Sequence, residues 1–395
     1  MKLKFLFLFL IIPFICFCQK QLTEDEALSL ALKNSAMLNA SSLEVDQYKQ
    51  LQKTAYNFSN PEIMMESPTG EFQTLGVMQS FDFPTVYVKQ HQLQKQQTLM
   101  AETGKKMTEN DIRYQVRSLY LSVQYQELIY KQYKIQDSIY AQIKASALRQ
   151  FDAGQIDYLV KTMAETQAGE IHNQYIQTET ELLVLKSQLQ IVTGLKESVT
   201  AVEMKRLSQA VNIATVKADT VAIQNNPTLL YFKQQEVLGK KKLSLERNRF
   251  LPGFTFGYLN QAGRDTPMDL RFRAGINIPL WFWQYTGSIS AAKTGVKIAE
   301  QKAIGQQQAL SVEMQKAQGD YLKFNQSLTY YETSGLKQTD EILSAAKRFF
   351  ESGQQDYITY LRNMNEAYLI KLRYAETLKN YNQSVININY LSGNL

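Results

Sequence analysis

The most regular pattern in this chain is an alternation of apolar and polar side chains between Pro252 and Pro279. The apolar positions are Phe254, Phe256, Tyr258, Leu270, Phe272, Ala274, Ile276 and Ile278, and the intervening ones include Thr255, Gly257, Arg271, Arg273, Gly275 and Asn277. A period of two is typical of strands with one apolar face, so we predict a β-hairpin over about 252–279. A weaker alternation between Pro61 and Pro84 predicts a second hairpin, over about 61–83.

Helical patterns precede both predicted hairpins. Thr23 and Glu26 match a capping box, which predicts the start of a helix that runs about thirty residues toward Pro61. We expect Asp219 or Thr220 to cap a comparable helix before the second hairpin. Each half of the chain is therefore predicted to open with a helix followed by a hairpin.

Much longer helical patterns follow the hairpins. The stretch from Thr85 to Gln150 contains no proline and a single glycine, Gly104, and it predicts a helical rod of roughly 100 Å. A glycine turn then leads into a second long helix in each half. The apolar positions of these second helices have the 3-4-3 spacing of a coiled-coil seam: Leu182, Leu185, Leu189 and Val192, and Leu378, Tyr381, Val385 and Ile388.

The same order of elements occurs twice, with matching residues. The stretch FDAGQIDY at 151–158 recurs as FESGQQDY at 350–357, an offset of 199, and Gly194 and Gly393 keep this offset. We therefore predict two repeats, 19–200 and 201–395, each much longer than a solenoid repeat. Such a duplication indicates a pseudo-symmetric molecule whose function resides in its shape.

The N-terminal residues predict export. Lys2 and Lys4 precede an apolar run from Phe5 to Ile15, which is typical of a signal peptide and too short for a transmembrane helix. We predict a signal peptide over 1–18, cleaved after Cys18; a lipoprotein acylated at Cys18 is the alternative. Cleavage removes both cysteines, so the mature chain is expected to contain no disulfide.

Charge and composition argue against several classes of function. Loss of Lys2 and Lys4 lowers the formal net charge from +6 to +4, and no basic stripe suggests nucleic-acid binding. His91 and His172 lie far apart without matching acidic clusters, and we interpret both as surface residues of helices. No nucleophile elbow or phosphate-binding glycine loop occurs, so we predict no enzymatic activity, no cofactor and no metal site.

The predicted hairpins have the length of transmembrane strands, which span about 9 to 11 residues. Four strands cannot close a membrane barrel, and an open sheet edge cannot be satisfied in lipid, so copies would have to share one barrel. A dimer would supply eight strands and a trimer twelve. The alternative is that both hairpins pack on a soluble core. Trp281, Trp283 and Tyr285 fit either an aromatic girdle at a membrane interface or a core cluster.

These residues resemble the TolC family of outer-membrane efflux proteins along nearly the whole mature chain. The matching motifs are Leu22-Thr23-x-x-Glu26-Ala27-Leu28-x-x-Ala31-Leu32-x-Asn34, Asn225-Asn226-Pro227, Phe250-Leu251-Pro252, Ile278-Pro279-Leu280 and the two Phe-x-x-Gly turns. The resemblance implies a mixed α/β membrane protein, a homotrimer with a shared 12-stranded outer-membrane β-barrel continued by an α-helical periplasmic barrel. The implied partners are outer-membrane lipid, a periplasmic adaptor (membrane-fusion) protein and a proton-driven inner-membrane pump.

The resemblance also assigns roles to the two glycine turns. They imply a periplasmic tip that closes the tunnel and contacts the adaptor, at Gly154, Gln155 and Ile156 and at Gly353, Gln354 and Gln355. Some members carry an aspartate six residues after the first glycine; this chain has Val160 and Thr359 there. Asp157 and Asp356, one helical turn away, are the substitutes, and Tyr158 and Tyr357 complete the gate candidates. Arg271 and Arg273 are candidates for the barrel lumen.

The sequence thus predicts the passive exit duct of a tripartite efflux system, which extends from the outer membrane of a Gram-negative bacterium into its periplasm. The stretch Gln79–Tyr87 resembles the hairpin exit of proteins that accompany heavy-metal efflux pumps, which suggests metal cations as the cargo. Two alternatives stay open at this stage: a type I protein-secretion duct and a periplasmic coiled-coil scaffold.

Overall fold

The computed structural model describes residues 20–66, 74–197, 199–208, 222–259 and 272–394. The predicted signal peptide, 1–18, lies outside these ranges. The chain divides into two compact units, one with residues up to Ala31 and Leu119–Met204, the other with Leu32–Ser118 and Lys205–Leu395. The boundaries of these units differ from those of the predicted repeats, 19–200 and 201–395. The units are defined by contacts between residues, whereas the repeats are defined by similarity of sequence. The duplication stays a prediction.

Helices account for most of the described residues. In chain order the elements are β1 (Lys20–Leu22), α1 (Glu24–Asn34), α2 (Ala36–Gln52), β2 (Glu62–Glu66), β3 (Thr74–Phe81), α3 (Pro84–Asp152), α4 (Tyr158–Thr193), β4 (Val199–Ala201), α5 (Pro227–Asn248), β5 (Gly253–Leu259), β6 (Phe272–Asn277), α6 (Phe282–Tyr330), a π-helical turn (Tyr331–Gly335), α7 (Leu336–Glu351) and α8 (Tyr357–Ser392). The four strands β2, β3, β5 and β6 lie inside the two predicted hairpins.

These four strands form one antiparallel sheet in the second unit, in the order β2-β3-β5-β6. Val77 pairs with Ile63 on one side and with Tyr258 on the other, and Phe254 pairs with Ile276. The two hairpins are therefore joined through β3 and β5. This register decides which side chains share a face of the sheet.

A small parallel sheet in the first unit has no counterpart among the predicted elements. β1 pairs with β4, and the buried Tyr120 links the ends of both strands. The Tyr120 hydroxyl donates to the Leu22 carbonyl at 2.7 Å and accepts from the Val202 amide at 2.9 Å. Three-residue strands carry too few residues for a period of two to be recognised in the sequence.

The predicted helix starts need two corrections. The capping box is present, because the Glu26 amide donates to Thr23 Oγ1 at 3.2 Å and the Thr23 amide donates to the Glu26 carboxylate at 3.1 Å. However, the first helix is broken at Ser35, whose hydroxyl caps α2 by accepting from the Leu38 amide. The predicted caps Asp219 and Thr220 lie outside the described residues, and the helix before the second hairpin begins only at Pro227.

Asn226 explains the late start of α5. Proline disfavours a helical conformation in the residue before it, and Asn226 is accordingly extended, with φ −61° and ψ 124°. Its side-chain oxygen accepts from the amides of Thr228 and Leu229, and its Nδ2 donates to the Leu391 carbonyl at 3.1 Å. This fully buried asparagine therefore caps α5 and satisfies a carbonyl at the end of α8.

The prediction that Gly194 and Gly393 end long helices is confirmed. Both are left-handed C-caps, of α4 and α8, with φ of 73° and 74°. The predicted seam of α8 is also buried at all four positions, Leu378, Tyr381, Val385 and Ile388. On α4 the prediction is wrong at Val192, which is exposed, while the adjacent Thr193 is fully buried and its hydroxyl donates to the Leu189 carbonyl.

Candidate functional site: an open sheet and two glycine turns

One face of the four-stranded sheet is apolar and open to its surroundings. The register places on this face Ile63, Met65, Leu75, Val77, Gln79, Phe81, Phe254, Phe256, Tyr258, Phe272, Ala274 and Ile276. Ile63 and Phe272 are each 71% exposed, and Ile276 is 63% exposed. Such a contiguous exposed apolar surface marks an interaction site for protein or membrane.

The sheet also has two open edges. β2 pairs with β3 alone and β6 pairs with β5 alone, within the part of the chain that the structure describes. Each outer strand therefore presents one row of backbone amides and carbonyls that no described strand of this chain bonds. Such rows are templates for pairing with another chain.

The opposite face of the sheet carries mainly small and polar residues, together with charged ones such as Glu62 and Arg273 and apolar ones such as Met64 and Met78. Arg273 lies on this face opposite Gly257, and the Asn277 amide group donates to Thr255 Oγ1 at 3.0 Å. Gly257 has no room for a side chain, because a Cβ there would stand 2.8 Å from the backbone carbonyl oxygen of Val77. The other lumen candidate, Arg271, lies outside the described residues.

Exposed aromatic residues follow the end of β6. Trp281 and Trp283 are 65% and 60% exposed, with ring centroids 5.2 Å apart. These exposures contradict the alternative of a core cluster, since tryptophans of a core would be covered by apolar side chains. An apolar ring with a polar N–H edge suits the boundary between water and lipid.

The first glycine turn, between α3 and α4, has Schellman geometry. Gly154 has φ +70°, and the Gln155 amide donates to the Gln150 carbonyl at 2.8 Å. Gly154 and Gln155 are exposed, whereas Ile156 is half-buried. Tyr158 and Leu159 point largely into solvent, and Tyr158 is 68% exposed.

The second glycine turn, between α7 and α8, has the same backbone geometry. Gly353 has φ +71°, and the Gln354 amide donates to the Phe349 carbonyl at 2.9 Å. Gly353 and Gln354 are exposed and Gln355 is half-buried. The tyrosine that corresponds to Tyr158, Tyr357, is only 6% exposed.

The phenylalanine before each glycine organises each turn differently. The rings of Phe151 and Tyr158 meet edge to face, with their centroids 6.2 Å apart. Lys161 Nζ lies 4.9 Å from the centroid of the Phe151 ring. In the second turn Tyr360, which corresponds to Lys161, stacks on Phe350 at 4.4 Å. Phe151, Phe350, Lys161 and Tyr360 were not among the predicted site residues. A comparison of the two repeated stretches, extended three residues past each tyrosine, shows that Lys161 is replaced by Tyr360.

Both aspartates among the gate candidates cap helices. Asp157 Oδ1 accepts from the Val160 amide at 2.8 Å, and Asp356 Oδ1 accepts from the Thr359 amide at 2.7 Å. The amide and hydroxyl of Thr359 hold the pKa of the Asp356 carboxyl below its usual range. Asp356 is therefore ionised at neutral pH, and it lies next to the turn with its charge directed at the N-terminus of α8.

The two histidines are half-buried or exposed residues of α3 and α4. His91 stacks on Tyr56 at 5.5 Å, and His172 Nδ1 lies 3.0 Å from Asp137 Oδ1. No group of three or more potential ligands for a metal ion occurs among the described histidines and carboxylates. None of the described helices has both the length and the apolar character needed to cross a bilayer.

Residues 220–394 match the family model described as outer membrane efflux protein. This match covers 175 of the 395 residues, and it confirms the predicted resemblance to the TolC family of outer-membrane efflux proteins. The matching family and the solved structures described below are channel proteins and not enzymes, in agreement with the predicted transport role. Among curated proteins, no sequence matches this chain closely enough to indicate a relationship.

Several solved structures share the fold of this chain. CusC, from a study of transmembrane channel formation, superposes with a TM-score of 0.78 at 14% identity, over 95% of this chain and 92% of CusC. CmeC, an outer membrane channel of Campylobacter jejuni, gives 0.78 at 13% identity, over 94% of this chain and 85% of CmeC. The open MtrE channel of Neisseria gonorrhoeae gives 0.71 at 10% identity, over 94% of this chain and 88% of MtrE.

Proposed function

We propose that this protein is the outer-membrane exit duct of a tripartite efflux system, in which three copies share one 12-stranded β-barrel and the long helices continue it as a periplasmic α-helical tunnel. The observation that carries this proposal is the four-stranded sheet with one exposed apolar face and two open edges. The match of residues 220–394 to the model described as outer membrane efflux protein supports the role in efflux.

Two properties of the sheet, its apolar face and its open edges, together favour a barrel that several copies share. Its apolar face requires an apolar environment, but lipid cannot hydrogen-bond the open edges of β2 and β6. Pairing of β6 of one copy with β2 of the next satisfies both edges and extends the sheet by four strands per copy. Three copies supply twelve strands, and a barrel wider than eight strands leaves room for an open lumen.

The polar face of the sheet then lines the lumen. Gly253, Gly257 and Gly275 have no side chains that would project from this face into the lumen. Arg273 contributes one positive charge per copy. Each glycine turn is an exposed tip of a helical hairpin, which suits contact with the helical hairpins of a periplasmic adaptor. The gate candidates on these turns are Asp157, Tyr158, Val160, Asp356, Tyr357 and Thr359.

Transport through this duct is passive. We propose that a proton-driven pump in the inner membrane supplies the energy and that the adaptor couples the pump to the tips. The cargo is small, and metal cations are the candidate that the Gln79–Tyr87 stretch favours. The likeness to CusC adds nothing to this choice, because 14% identity supports the fold alone.

A deletion strain complemented with the intact chain tests the function and the cargo together. We expect hypersensitivity to small toxic compounds, reversed by complementation, and heat-modifiable trimers in the outer-membrane fraction. Selective sensitivity to transition-metal ions would support metal cations; sensitivity to dyes and antibiotics would replace them with organic cargo. Wild-type tolerance with loss of a secreted protein would favour type I secretion, and a salt-extractable periplasmic monomer would favour a scaffold.

A further inference from the structure

A π-helical turn lies between α6 and α7, the two helices that lead to the second glycine turn. α6 ends at Tyr330, the π-helical turn covers Tyr331–Gly335, and α7 continues from Leu336. A π turn accommodates one extra residue in an α-helix, and such turns occur frequently at functional sites. The corresponding stretch of the first half, Pro84–Asp152, is the continuous helix α3.

Arg206 reaches this turn from a separate segment of the same unit. Lys205–Ser208, here called the strap, is described backbone outside any helix or strand. Arg206 Nη1 lies 2.7 Å from Glu332 Oε2, inside the π turn, and its Nη2 donates to Asn325 Oδ1 on α6. The guanidinium also lies 5.0 Å from the centroid of the Tyr381 ring on α8.

The strap is anchored on α8 independently of Arg206. The Leu207 amide donates to Asn382 Oδ1 at 2.9 Å, and Asn382 Nδ2 donates to the Lys205 carbonyl at 2.8 Å. Asn382 is buried, so these bonds are shielded from water. We therefore expect the strap backbone to stay on α8 when the Arg206 side chain is replaced, while the ion pair of Arg206 with Glu332 is lost.

The contact between Arg206 and Glu332 has the properties of a reversible one. The two side chains are 36% and 34% exposed, so water and salt compete with the ion pair. The π turn itself is closely packed, because a Cβ on Gly335 would stand 3.1 Å from the Tyr331 ring. A side chain at this position would require the Tyr331 ring to shift by a few tenths of an ångström.

We propose that the strap and the π turn form a latch in which Arg206, as a positioning residue, sets the direction of α7. α7 ends at the second glycine turn, so this direction decides where the gate candidates Asp356 and Tyr357 stand. When Arg206 and Glu332 separate, α7 bends at the π turn and the channel opens. The latch rests on the proposed channel function, since it regulates that channel.

The test uses purified full-length mature trimers in planar lipid bilayers, without pump or adaptor. Arg206→Gln and Glu332→Gln are each expected to raise the open probability about two- to fivefold, the range for loss of one partly exposed ion pair. The charge-swapped double variant, Arg206→Glu with Glu332→Arg, should return the open probability toward the wild-type value. Thermal dissociation of the trimer should remain unchanged in all three variants.

Asp320→Asn is the matched control. It removes another ion pair of α6, with Lys323 at 3.0 Å, that does not involve the π turn, and it should leave the open probability unchanged. Wild-type conductance in the Arg206 and Glu332 variants would overturn the latch and leave the channel intact. A lower dissociation temperature without a change in open probability would reduce Arg206 to a structural role. Absence of conductance from the wild-type protein would reject the channel and the latch with it.

Discussion

Gly154 and Gly353 show what single residues determine in this protein. Each ends a long helix with a positive φ, +70° or +71°, and a Cβ on either glycine would have no heavy atom within 4 Å. The glycine is therefore required by the backbone conformation and not by lack of space. A left-handed conformation costs an L-amino acid roughly 1–2 kcal/mol, so any side chain favours a different turn.

Gly353→Ala should consequently change the turn while the rest of the molecule folds. We expect loss of most of the resistance that the efflux system confers, because the turn between α7 and α8 no longer presents the same surface. Trimer yield in the outer membrane should stay at the wild-type level. The measurement is survival of a complemented deletion strain in the toxic cargo.

Gly319→Ala provides the comparison. Gly319 lies in α6 with ordinary helical backbone and open space around it, so alanine should be tolerated or slightly stabilising. Equal resistance of the two variants would show that the turn geometry is irrelevant to efflux.

At the scale of elements, the sheet separates its side chains most clearly, with apolar ones on one face and mainly polar or small ones on the other. Successive residues of β6 point to opposite faces, so neighbouring positions meet opposite environments in the proposed barrel. Ile276 lies on the exposed apolar face, and Asn277 lies on the polar one. The same substitution at these two positions isolates the effect of the face.

Ile276→Arg should prevent or weaken assembly, whereas Asn277→Arg should be tolerated. An arginine on the lipid side of a barrel costs about 2–4 kcal/mol near the middle of the bilayer and less near its surface. The measurement is the amount of heat-modifiable trimer in outer-membrane fractions. Equal amounts for both variants would show that this face does not contact lipid.

The elements differ in how far the sequence predicts them. The strands and the seam of α8 follow from periodicity, because one side is apolar at regular intervals and nothing interrupts it. The break at Ser35 and the start of α5 at Pro227 depend on local hydrogen bonds of Ser35 and Asn226, which compete with the helical pattern. The π turn at Tyr331–Gly335 does not interrupt the hydrophobic pattern, so the sequence did not predict it.

The candidate site was only partly predictable for the same reason. The glycine turns were recognisable because glycine and its neighbours recur, but the contacts of Phe151, Lys161 and Tyr360 depend on three-dimensional packing. Asp157 and Asp356 were predicted as gate candidates; the structure adds that both cap helices. Their role in gating stays a prediction.

At the scale of the whole molecule, the proposed trimer places three copies of each barrel residue around one lumen. Arg273 lies on the polar face of β6 and is exposed, so three copies would bring three positive charges to the wall of one lumen. A ring of like charges in a pore attracts ions of the opposite sign and repels those of its own. Glu62 of β2 lies on the same face, in the same row of the register as Arg273, so in each copy Arg273 offsets a negative charge at the wall of the proposed lumen.

Arg273→Glu leaves Glu62 without an opposite charge among the described residues of this face and should shift the ion selectivity of the pore toward cations. The reversal potential of single trimers in a salt gradient measures the shift, and salt at high concentration should reduce it because the charges are screened. The neutral variant Arg273→Gln should fall between the wild type and Arg273→Glu. An unchanged reversal potential across all three proteins would mean that β6 turns its polar face away from the conducting path, and the lumen would then have to be formed by other residues.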